Sequence, residues 1–202
     1  MSNIERFGIF GGTFNPPHNG HVRAARLFFE KMKLDRLLII PDYVPPHKKL
    51  SDCDDPSIRL EMAEAAFGSL SDKICVSDYE IKKTGVSYTV DTLRHFSRPG
   101  RDLYLLCGTD MFISLDTWRE PETIFALAQI VCINRVDYSS DITEEKANEF
   151  RKRFGAKIHL LDMPPLVLSS SDVRDMIGNY ASADEYIPEG VQKIIEREKL
   201  YK

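Results

Sequence analysis

Residues 6–21 read RFGIFGGTFNPPHNGH, an apolar run followed by a glycine pair, a proline pair and two histidines. The apolar residues 6–10 predict a buried β-strand that ends at the glycines. Residues 20–33 predict a helix with an apolar face formed by Val22, Ala25, Phe29 and Met32, which recur at three- and four-residue steps. A strand, a glycine-rich turn and a helix in this order are typical of the first unit of an α/β fold.

The rest of the chain repeats this alternation of short apolar runs and amphipathic segments. Continuous apolar strands are usually buried on both faces, which favours a mostly parallel sheet with helices on both sides. We therefore predict a Rossmann-like, doubly wound α/β fold. Strands are predicted at 37–40, 74–81, 103–107, 130–133 and 158–161, and helices at 56–67, 88–96, 122–128, 143–154, 171–177 and 189–198.

Length and composition narrow the class of protein. The 202 residues predict a single domain over 1–202 with a C-terminal helical part at about 169–202. A net charge of −4 gives no general attraction to nucleic acid, and neither a signal peptide nor a membrane-spanning run is predicted. None of the four cysteines forms a CxxC pair, and three lie in apolar runs that favour buried, reduced thiols and a cytoplasmic location. The sequence carries no interface signature, so a homo-oligomer is left open.

The loop that follows the first strand suggests binding of phosphate. Gly11 and Gly12 allow backbone N–H groups to approach an anion, although the pattern is neither GxGxxG nor a P-loop. His18 and His21 are three residues apart at the start of a helix, where the helix dipole and free N–H groups attract anions. The alternatives are a surface histidine beside an ordinary helix histidine, or a zinc site, which the spacing and the lack of a third ligand disfavour.

A second candidate segment, residues 168–174, reads LSSSDVR. A serine at a helix start satisfies free N–H groups, and the same geometry can hold phosphate. Arg174 lies one turn into the predicted helix and can bind two oxygens at once. The alternative is a plain helix cap with a surface arginine. The candidate phosphate ligands here are Ser169, Ser170, Ser171 and Arg174.

The middle of the chain carries four residues that suit a second ligand. Lys48, in the proline-stiffened segment PDYVPPHK, could neutralise a phosphate, although a solvated lysine pair is the usual reading of such a segment. Thr89 opens a helix, and Asp110 follows a strand, where a carboxylate could bind ribose hydroxyls. Trp118, the single tryptophan, could stack on an aromatic ring, although an isolated tryptophan is more often a core residue.

Both end segments resemble signatures of the nucleotidylyltransferase superfamily. GTFNPPHNGH resembles GxFxPxHxGH, and LSSSDVR is similar to ISSTxxR, with Leu168 for Ile and Ser171 for Thr. The resemblance implies direct in-line displacement without a covalent intermediate, with His18 and His21 on the phosphates of ATP. The ATP-binding residues that it implies are Gly11, Gly12, Thr13, Phe14, Ser169, Ser170 and Ser171.

The middle segments resemble those of the bacterial nicotinate-nucleotide adenylyltransferases. The resemblance implies that Trp118 stacks on the nicotinate ring, and that Thr89 with the backbone near 118–119 holds its carboxylate. Asp110 keeps the aspartate of the family's GxD segment. Arg119 stands where the family often has tyrosine or phenylalanine, and either adds charge near the carboxylate or points to solvent.

The resemblance implies that AMP passes from ATP to nicotinate mononucleotide, giving deamido-NAD and pyrophosphate. A phosphate monoester is already ionised near neutral pH, so no general base is expected. Catalysis would rest on His18, His21, Lys48, Arg174 and Mg²⁺ held mainly by ATP phosphates, without a protein metal site. The alternatives are a related enzyme using nicotinamide mononucleotide, phosphopantetheine or a CTP-dependent acceptor, and a non-catalytic nucleotide-binding sensor.

Overall fold

The computed structural model describes residues 4–46, 55–134, 140–163 and 169–202. Its strands and helices follow the predicted alternation. The strands are β1 (Glu5–Gly12), β2 (Arg36–Pro41), β3 (Ile74–Val76), β4 (Arg101–Gly108), β5 (Ala128–Asn134) and β6 (Ile158–Asp162). The helices are α1 (Asn19–Lys31), α2 (Pro56–Phe67), α3 (Tyr79–Lys83), α4 (Thr89–Phe96), α5 (Thr109–Ile113), α6 (Pro121–Leu127), α7 (Ser140–Phe154), α8 (Ser170–Gly178) and α9 (Glu189–Glu198), with a 3₁₀ turn at Leu115–Thr117.

The strands form one sheet in the order β3-β2-β1-β4-β5-β6. The pairs β1–β4, β4–β5 and β5–β6 are parallel, with Phe7 opposite Leu103 and Cys107 opposite Cys132. This is the strand order of a doubly wound Rossmann-like sheet, so the predicted fold class is confirmed. The order reverses between β1 and β4, and ligands in such sheets bind beyond the carboxyl ends of the strands at this reversal.

The chain forms two compact units, and the residues of each unit pack mainly against one another. The first unit comprises Met1–Phe10, Leu27–Leu37 and Tyr88–Leu166, and the second comprises Gly11–Arg26, Leu38–Ser87 and Val167–Lys202. In the first unit, residues 7–10 of β1 and 103–107 of β4 are buried without interruption. Since alternate side chains of a strand point to opposite faces, these strands are covered on both faces, as their continuous apolar runs predict.

The strand predicted over 74–81 is wrong in its second half. β3 ends at Val76, and residues 79–83 form the short helix α3. The N–H of Ser77 still bonds the carbonyl of Ile39, but Asp78 then starts a helical turn, because its carbonyl accepts the N–H of Lys82 at 2.8 Å. The apolar pattern of this stretch does not show where the strand ends and the helix begins, because each element is too short for its period to be recognised.

The apolar face predicted for the first helix is confirmed at two of its four positions. Ala25 and Phe28 are fully buried and Met32 nearly so, whereas Val22 and Phe29 are only half-buried. Two neighbouring phenylalanines, at 28 and 29, fit the three- and four-residue spacing almost equally well, and packing decides between them.

Cys107 and Cys132 are buried side by side on β4 and β5. Burial raises the pKa of the Cys107 thiol far above its ordinary value and that of Cys132 to about 12. Both thiols are free in the structure, as the apolar context of these cysteines predicts.

Candidate active site

The glycine pair ends β1 and lets the chain turn sharply into the following loop. A methyl group on Gly12 would lie 3.0 Å from the ring of Phe14, whereas one on Gly11 would meet nothing closer than 4.0 Å. Phe14 has a positive φ of 49° and is buried, with its ring centroid 5.2 Å from that of His21 and 5.5 Å from that of Phe67. Gly12 is therefore needed for the fold of the loop, while the exposed backbone of Gly11 has open space beside it.

A buried arginine of α2 holds the next part of the loop. Arg59 has no exposed surface; its Nη1 donates to the carbonyl of Thr13 at 3.0 Å and to Asp42 Oδ1 at 3.1 Å. Its Nη2 donates to the carbonyl of Tyr43 at 2.9 Å. Asp42 in turn accepts the hydroxyl of Thr13 at 2.8 Å. The side chain of Thr13 is thus used inside the protein, so we expect this part of the loop to contact ATP through its backbone.

The two histidines lie against each other at the start of α1, with ring centroids 3.8 Å apart. His18 Nδ1 accepts the N–H of Gly20 at 3.1 Å, and His21 Nδ1 accepts the N–H of His18 at 3.2 Å. A ring nitrogen that accepts a hydrogen bond carries no proton, so these bonds assign the proton of each neutral ring to Nε2. Both imidazoles are therefore oriented as Nε2–H donors. His18 is 2% exposed and His21 is half-buried, which makes His21 the more accessible of the two.

The N–H groups at the start of α1 are not free, contrary to the expectation that they bind an anion. Asn19 donates to the carbonyl of Tyr186, and Gly20 donates to His18 Nδ1. His21 and Val22 both donate to the carbonyl of His18. The helix satisfies its first four N–H groups with protein atoms, so a hydrogen bond from this segment to a phosphate would have to come from the imidazoles and not from the backbone.

The serines of the closing segment build and anchor α8. Ser169 caps the helix: its hydroxyl accepts the N–H of Asp172, and the carboxylate of Asp172 accepts the N–H of Ser169. The hydroxyl of Ser170 donates to the carbonyl of Pro16 at 2.9 Å. Ser169 therefore acts as a helix cap, which is one of the two roles considered for this segment. Ser170 attaches α8 to the opening loop.

Arg174 reaches the same loop from one turn into α8. Its Nη1 donates to the carbonyl of Asn15 at 2.8 Å, and its Nη2 donates to the hydroxyl of Ser171 at 3.1 Å. The hydroxyl of Tyr201 donates to the side-chain oxygen of Asn15. A guanidinium has five N–H groups, so these two bonds leave Arg174 able to bind a ligand oxygen as well.

The second unit therefore gathers most of the predicted ATP residues around one loop. Within the parts of the chain that the structure describes, contacts join Phe14, His18, His21, Ser170, Ser171 and Arg174 directly or through residues 15–16, and Thr13 adjoins Phe14 in the chain. Lys48 lies outside the described residues, so its predicted role stays a prediction.

In the first unit, Thr89 and Arg119 lie near the same helix start. Thr89 is the first residue of α4 and is half-buried, and Tyr88 precedes it. The guanidinium carbon of Arg119 lies 4.6 Å from the ring centroid of Tyr88. The side chain of Arg119 is exposed and lies over this aromatic ring beside Thr89.

Asp110 lies in the first turn of α5, which follows β4 directly. The preceding Thr109 is buried and donates its hydroxyl to the carbonyl of Ile133 at 3.2 Å, which fixes the helix to the end of β5. Asp110 is exposed at this end of the sheet, and its contact with ribose hydroxyls stays a prediction.

Trp118 ends the 3₁₀ turn and is half-buried. The turn is anchored by Asp116, whose Oδ2 lies 3.2 Å from Lys146 Nζ and 3.4 Å from Arg153 Nη1, both on α7. Burial acts to lower the pKa of Lys146, but its hydrogen bonds and charge interactions with Glu149 and Asp116 together outweigh burial and raise the pKa. The ion pairs hold in place the segment that carries Trp118 and Arg119.

Sequence reasoning missed the polar residues that fix these segments. Arg59 occupies the first position of an i, i+3, i+4, i+7 stripe whose other members are Met62, Ala63 and Ala66, all buried. A charged residue in an apolar stripe is the available signal, because such a residue is buried only when it is paired. Asp42 directly after an apolar strand would be its natural partner.

Two kinds of feature are absent from the residues that the structure describes. Among them, no group of three or more His, Cys, Asp or Glu side chains could hold a metal ion. The helices over the same ranges include none with the length and apolar character needed to cross a membrane.

Comparison with known proteins extends these observations. The sequence model of the cytidylyltransferase-like family matches residues 9–176. A probable nicotinate-nucleotide adenylyltransferase of Clostridium acetobutylicum is 36% identical over 200 residues, covering 98% of this chain and 100% of the relative. One of Clostridium novyi, also named as probable, is 35% identical over 201 residues, with the same coverage of both chains.

Among solved structures, the nicotinic acid mononucleotide adenylyltransferase of Plasmodium falciparum, complexed with APC, is similar in fold. It superposes with a TM-score of 0.79 at 19% identity and covers 98% of this chain and 97% of its own. The match in fold and the two full-length relatives agree with the motifs at both ends of the chain. The protein therefore belongs to the nicotinate-nucleotide adenylyltransferase family of cytidylyltransferase-like enzymes.

Proposed function

We propose that the protein transfers AMP from ATP to nicotinate mononucleotide, giving deamido-NAD and pyrophosphate in NAD biosynthesis. The relatives named for this reaction span the whole chain, which supports the choice of acceptor. The observation that carries the chemistry is the pair His18 and His21, both oriented as Nε2–H donors at the start of α1. Donors fixed before the substrate arrives are what stabilisation of a phosphoryl-transfer transition state requires.

On the ATP side, His18 and His21 would donate to phosphate oxygens, with the bonds strengthening as charge moves to the leaving pyrophosphate. Arg174 would bind a further oxygen with the N–H groups that Asn15 and Ser171 do not use. Gly11 would allow close approach of the nucleotide, because the space beside its Cα is open. Lys48 is proposed as an additional cation on the strength of the sequence alone.

The acceptor supplies its own nucleophile. The 5′-phosphate of the mononucleotide attacks the α-phosphorus of ATP; a new P–O bond forms as the bond to pyrophosphate breaks. The phosphate is already ionised near neutral pH, with a second pKa of about 6, so no side chain needs to remove a proton. The protein contributes positioning and charge stabilisation.

For the acceptor, we propose stacking of Trp118 on the pyridine ring, a hydrogen bond from Thr89 to its carboxylate, and binding of ribose hydroxyls by Asp110. Trp118 is half-buried at the end of a turn that the ion pair of Asp116 with Lys146 holds to α7. Thr89 begins α4, whose dipole favours a negative group at this end. Exposure of Asp110 at the end of β4 is compatible with its role.

We propose Mg²⁺ as the metal, carried mainly by the phosphates of ATP. Mg²⁺ usually keeps several waters and binds through substrate phosphates with at most one or two protein carboxylates. When bound, it would neutralise charge on the leaving pyrophosphate.

We also propose that the chain works in the cytoplasm as a single domain over 1–202, without nucleic-acid or membrane partners. Whether it forms a homo-oligomer is a question for size-exclusion experiments.

The test is a turnover assay with ATP, Mg²⁺ and either nicotinate or nicotinamide mononucleotide, measuring pyrophosphate and the dinucleotide formed. We expect turnover with nicotinate mononucleotide. His21→Ala should lower kcat by about 10²–10³, the usual effect of losing one transition-state donor, without loss of helical signal or thermal stability. His95→Ala, which removes an exposed histidine of α4, is the matched control and should leave turnover unchanged. Absence of pyrophosphate release with either acceptor would favour the sensor and overturn the proposal.

A further inference from the structure

The C-terminal helical part of the chain holds the segment that carries His18 on both of its flanks. Before His18, the side-chain oxygen of Asn15 accepts the hydroxyl of Tyr201, which lies 186 positions further along the chain. After His18, the side-chain amide of Asn19 donates to the carbonyl of Glu185 at 2.9 Å, across 166 positions. The conformation of this segment therefore depends on residues that belong to neither of the two sequence motifs.

The backbone around Tyr201 is fixed by the ends of α8 and α9. Lys199 has a positive φ of 53°, which turns the chain at the end of α9, and the N–H of Leu200 then donates to the carbonyl of Ile195 at 3.0 Å. Leu200 is buried. A methyl group on Gly178, the last residue of α8, would lie only 3.2 Å from the carbonyl oxygen of Tyr201. The turn and this close approach together define where the Tyr201 side chain starts.

The helix α9 is itself attached to α2. Both Nη atoms of Arg197 donate to the carboxylate of Glu61, at 2.9 and 2.6 Å, and this hydrogen bonding holds the pKa of Glu61 below its usual value. A methyl group on Gly190 would lie 3.1 Å from the Cβ of Ala65, so the two helices are in close contact at this point. Since α2 also holds the carbonyl of Thr13, α2 and the residue that follows α9 act on neighbouring positions of one loop.

We propose that Tyr201 is a positioning residue for the transfer reaction: through Asn15, its hydroxyl holds the opening loop in the conformation that presents His18 and His21 to ATP. The inference rests on the proposed function and extends its machinery to the residue that follows α9. Asn15 is 9% exposed, so removal of the hydroxyl leaves a buried amide oxygen without this donor. A shift of the loop toward another donor would restore a partner, but it would also move the imidazoles from the places in which they act.

The first experiment measures kcat, both KM values and Tm in the wild type and in Tyr201→Phe, which keeps the ring and removes the hydroxyl. We expect kcat at saturating substrates to fall about fivefold, the equivalent of one neutral hydrogen bond, and Tm to fall by no more than about 4 °C. The KM for nicotinate mononucleotide should not change, since the residues proposed to bind it belong to the other unit. Tyr180→Phe is the matched control, because it removes the hydroxyl of a tyrosine that is 89% exposed, and it should change none of these values. A lower Tm with unchanged kcat in Tyr201→Phe would overturn the inference.

The second experiment is a double-mutant cycle that tests whether Tyr201 acts through Asn15. Asn15→Ala removes the acceptor and should lower kcat by itself, and adding Tyr201→Phe should then cost nothing more, because the hydroxyl has lost its acceptor. Asn15→Asp keeps an acceptor oxygen, so it should restore most of the turnover lost in Asn15→Ala, and Tyr201→Phe should again lower kcat in that background. Losses of kcat that simply multiply in the Asn15→Ala background, or an Asn15→Asp background insensitive to Tyr201→Phe, would refute the positioning role.

The outcomes separate this inference from the function on which it rests. A wild type that turns over neither nicotinate nor nicotinamide mononucleotide overturns both. A wild type that uses nicotinate mononucleotide, with the same kcat in Tyr201→Phe, keeps the function and removes Tyr201 from its machinery. Calorimetric titration with ATP alone gives a readout apart from turnover: the affinity should change less than kcat, because donors that act on the transition state contribute less to binding of the ground state. A change confined to the affinity for ATP would overturn the positioning role.

Discussion

Replacing Arg59 by methionine should destabilise the protein and loosen the loop that carries the histidines. Methionine can fill the space of the arginine stem, so the change removes mainly charge and hydrogen bonds. Among the residues that the structure describes, the change removes the contacts to the carbonyls of Thr13 and Tyr43 and the ion pair with Asp42. Asp42 is itself 8% exposed, so its charge is left buried without the guanidinium.

The expected magnitude follows from that buried charge. Removing one partner of a buried ion pair costs about 3–5 kcal/mol. Asp42 retains the hydroxyl of Thr13, which places the loss in the lower half of that range. For a chain of this size each kcal/mol lowers Tm by about 2–4 °C, so a loss of about 3–4 kcal/mol should lower Tm by about 6–16 °C.

Thermal unfolding followed by circular dichroism measures the loss, with Arg23→Met as the matched control. Arg23 is exposed on α1, and its replacement should change the stability by no more than about 0.5 kcal/mol. Activity should show a lower kcat at saturating ATP, since the loop geometry is affected as well as nucleotide binding.

A double-mutant cycle gives the most stringent test of whether Arg59 neutralises the charge of Asp42. If the cost comes from the buried carboxylate, adding Asp42→Asn to Arg59→Met should recover part of the stability, because the amide is neutral. A loss below about 1 kcal/mol in Arg59→Met, or purely additive losses in the double variant, would contradict the account of Arg59 as the counter-charge of Asp42.

Three further predictions concern other parts of the chain. Gly11→Ala should leave Tm unchanged, because the atom nearest to the added methyl group would be the carbonyl oxygen of Ile40, at 4.0 Å. The same change should weaken ATP binding measured by calorimetry, and an unaltered ATP affinity would refute the close approach of the nucleotide at this residue. Trp118→Ala should raise the KM for nicotinate mononucleotide far more than that for ATP, and equal increases would remove the stacking role. In native protein at pH 8, iodoacetamide should leave Cys107 and Cys132 unmodified by peptide mass spectrometry, since a thiol of pKa about 12 is ionised in only about one molecule in ten thousand; rapid labelling of either would contradict its burial.

The long apolar strands were predictable because burial on both faces requires an uninterrupted run of apolar residues in the sequence. β4 and β5 appear in the structure within two residues of their predicted ends. The shorter elements were not predictable: α5 and the 3₁₀ turn at Leu115–Thr117 have five and three residues, too few for a period to emerge. β1 also runs through both glycines instead of stopping before them, because pairing across the sheet outweighs the low strand preference of glycine.

For the candidate site, the sequence motifs identified the residues but could not predict the hydrogen-bond partners of their polar atoms. Ser170 meets the carbonyl of Pro16, and Arg174 meets that of Asn15, across more than 150 positions of sequence. Such pairs depend on the path of the whole chain, so local patterns carry no record of them. The tautomers of His18 and His21 are likewise set by backbone N–H groups that only the folded turn brings into place.

The opening loop illustrates why these partners matter for chemistry. Its backbone has no ladder of regular hydrogen bonds, and polar groups of a buried loop must still be satisfied. Side chains donate to three carbonyls of the loop: Arg59 to that of Thr13 at 3.0 Å, Arg174 to that of Asn15 at 2.8 Å and Ser170 to that of Pro16 at 2.9 Å. Because these bonds exist before any ligand binds, the cost of ordering the loop is met in folding. The imidazole donors that follow it can then act on a phosphate without the reorganisation that would offset their stabilisation of the transition state.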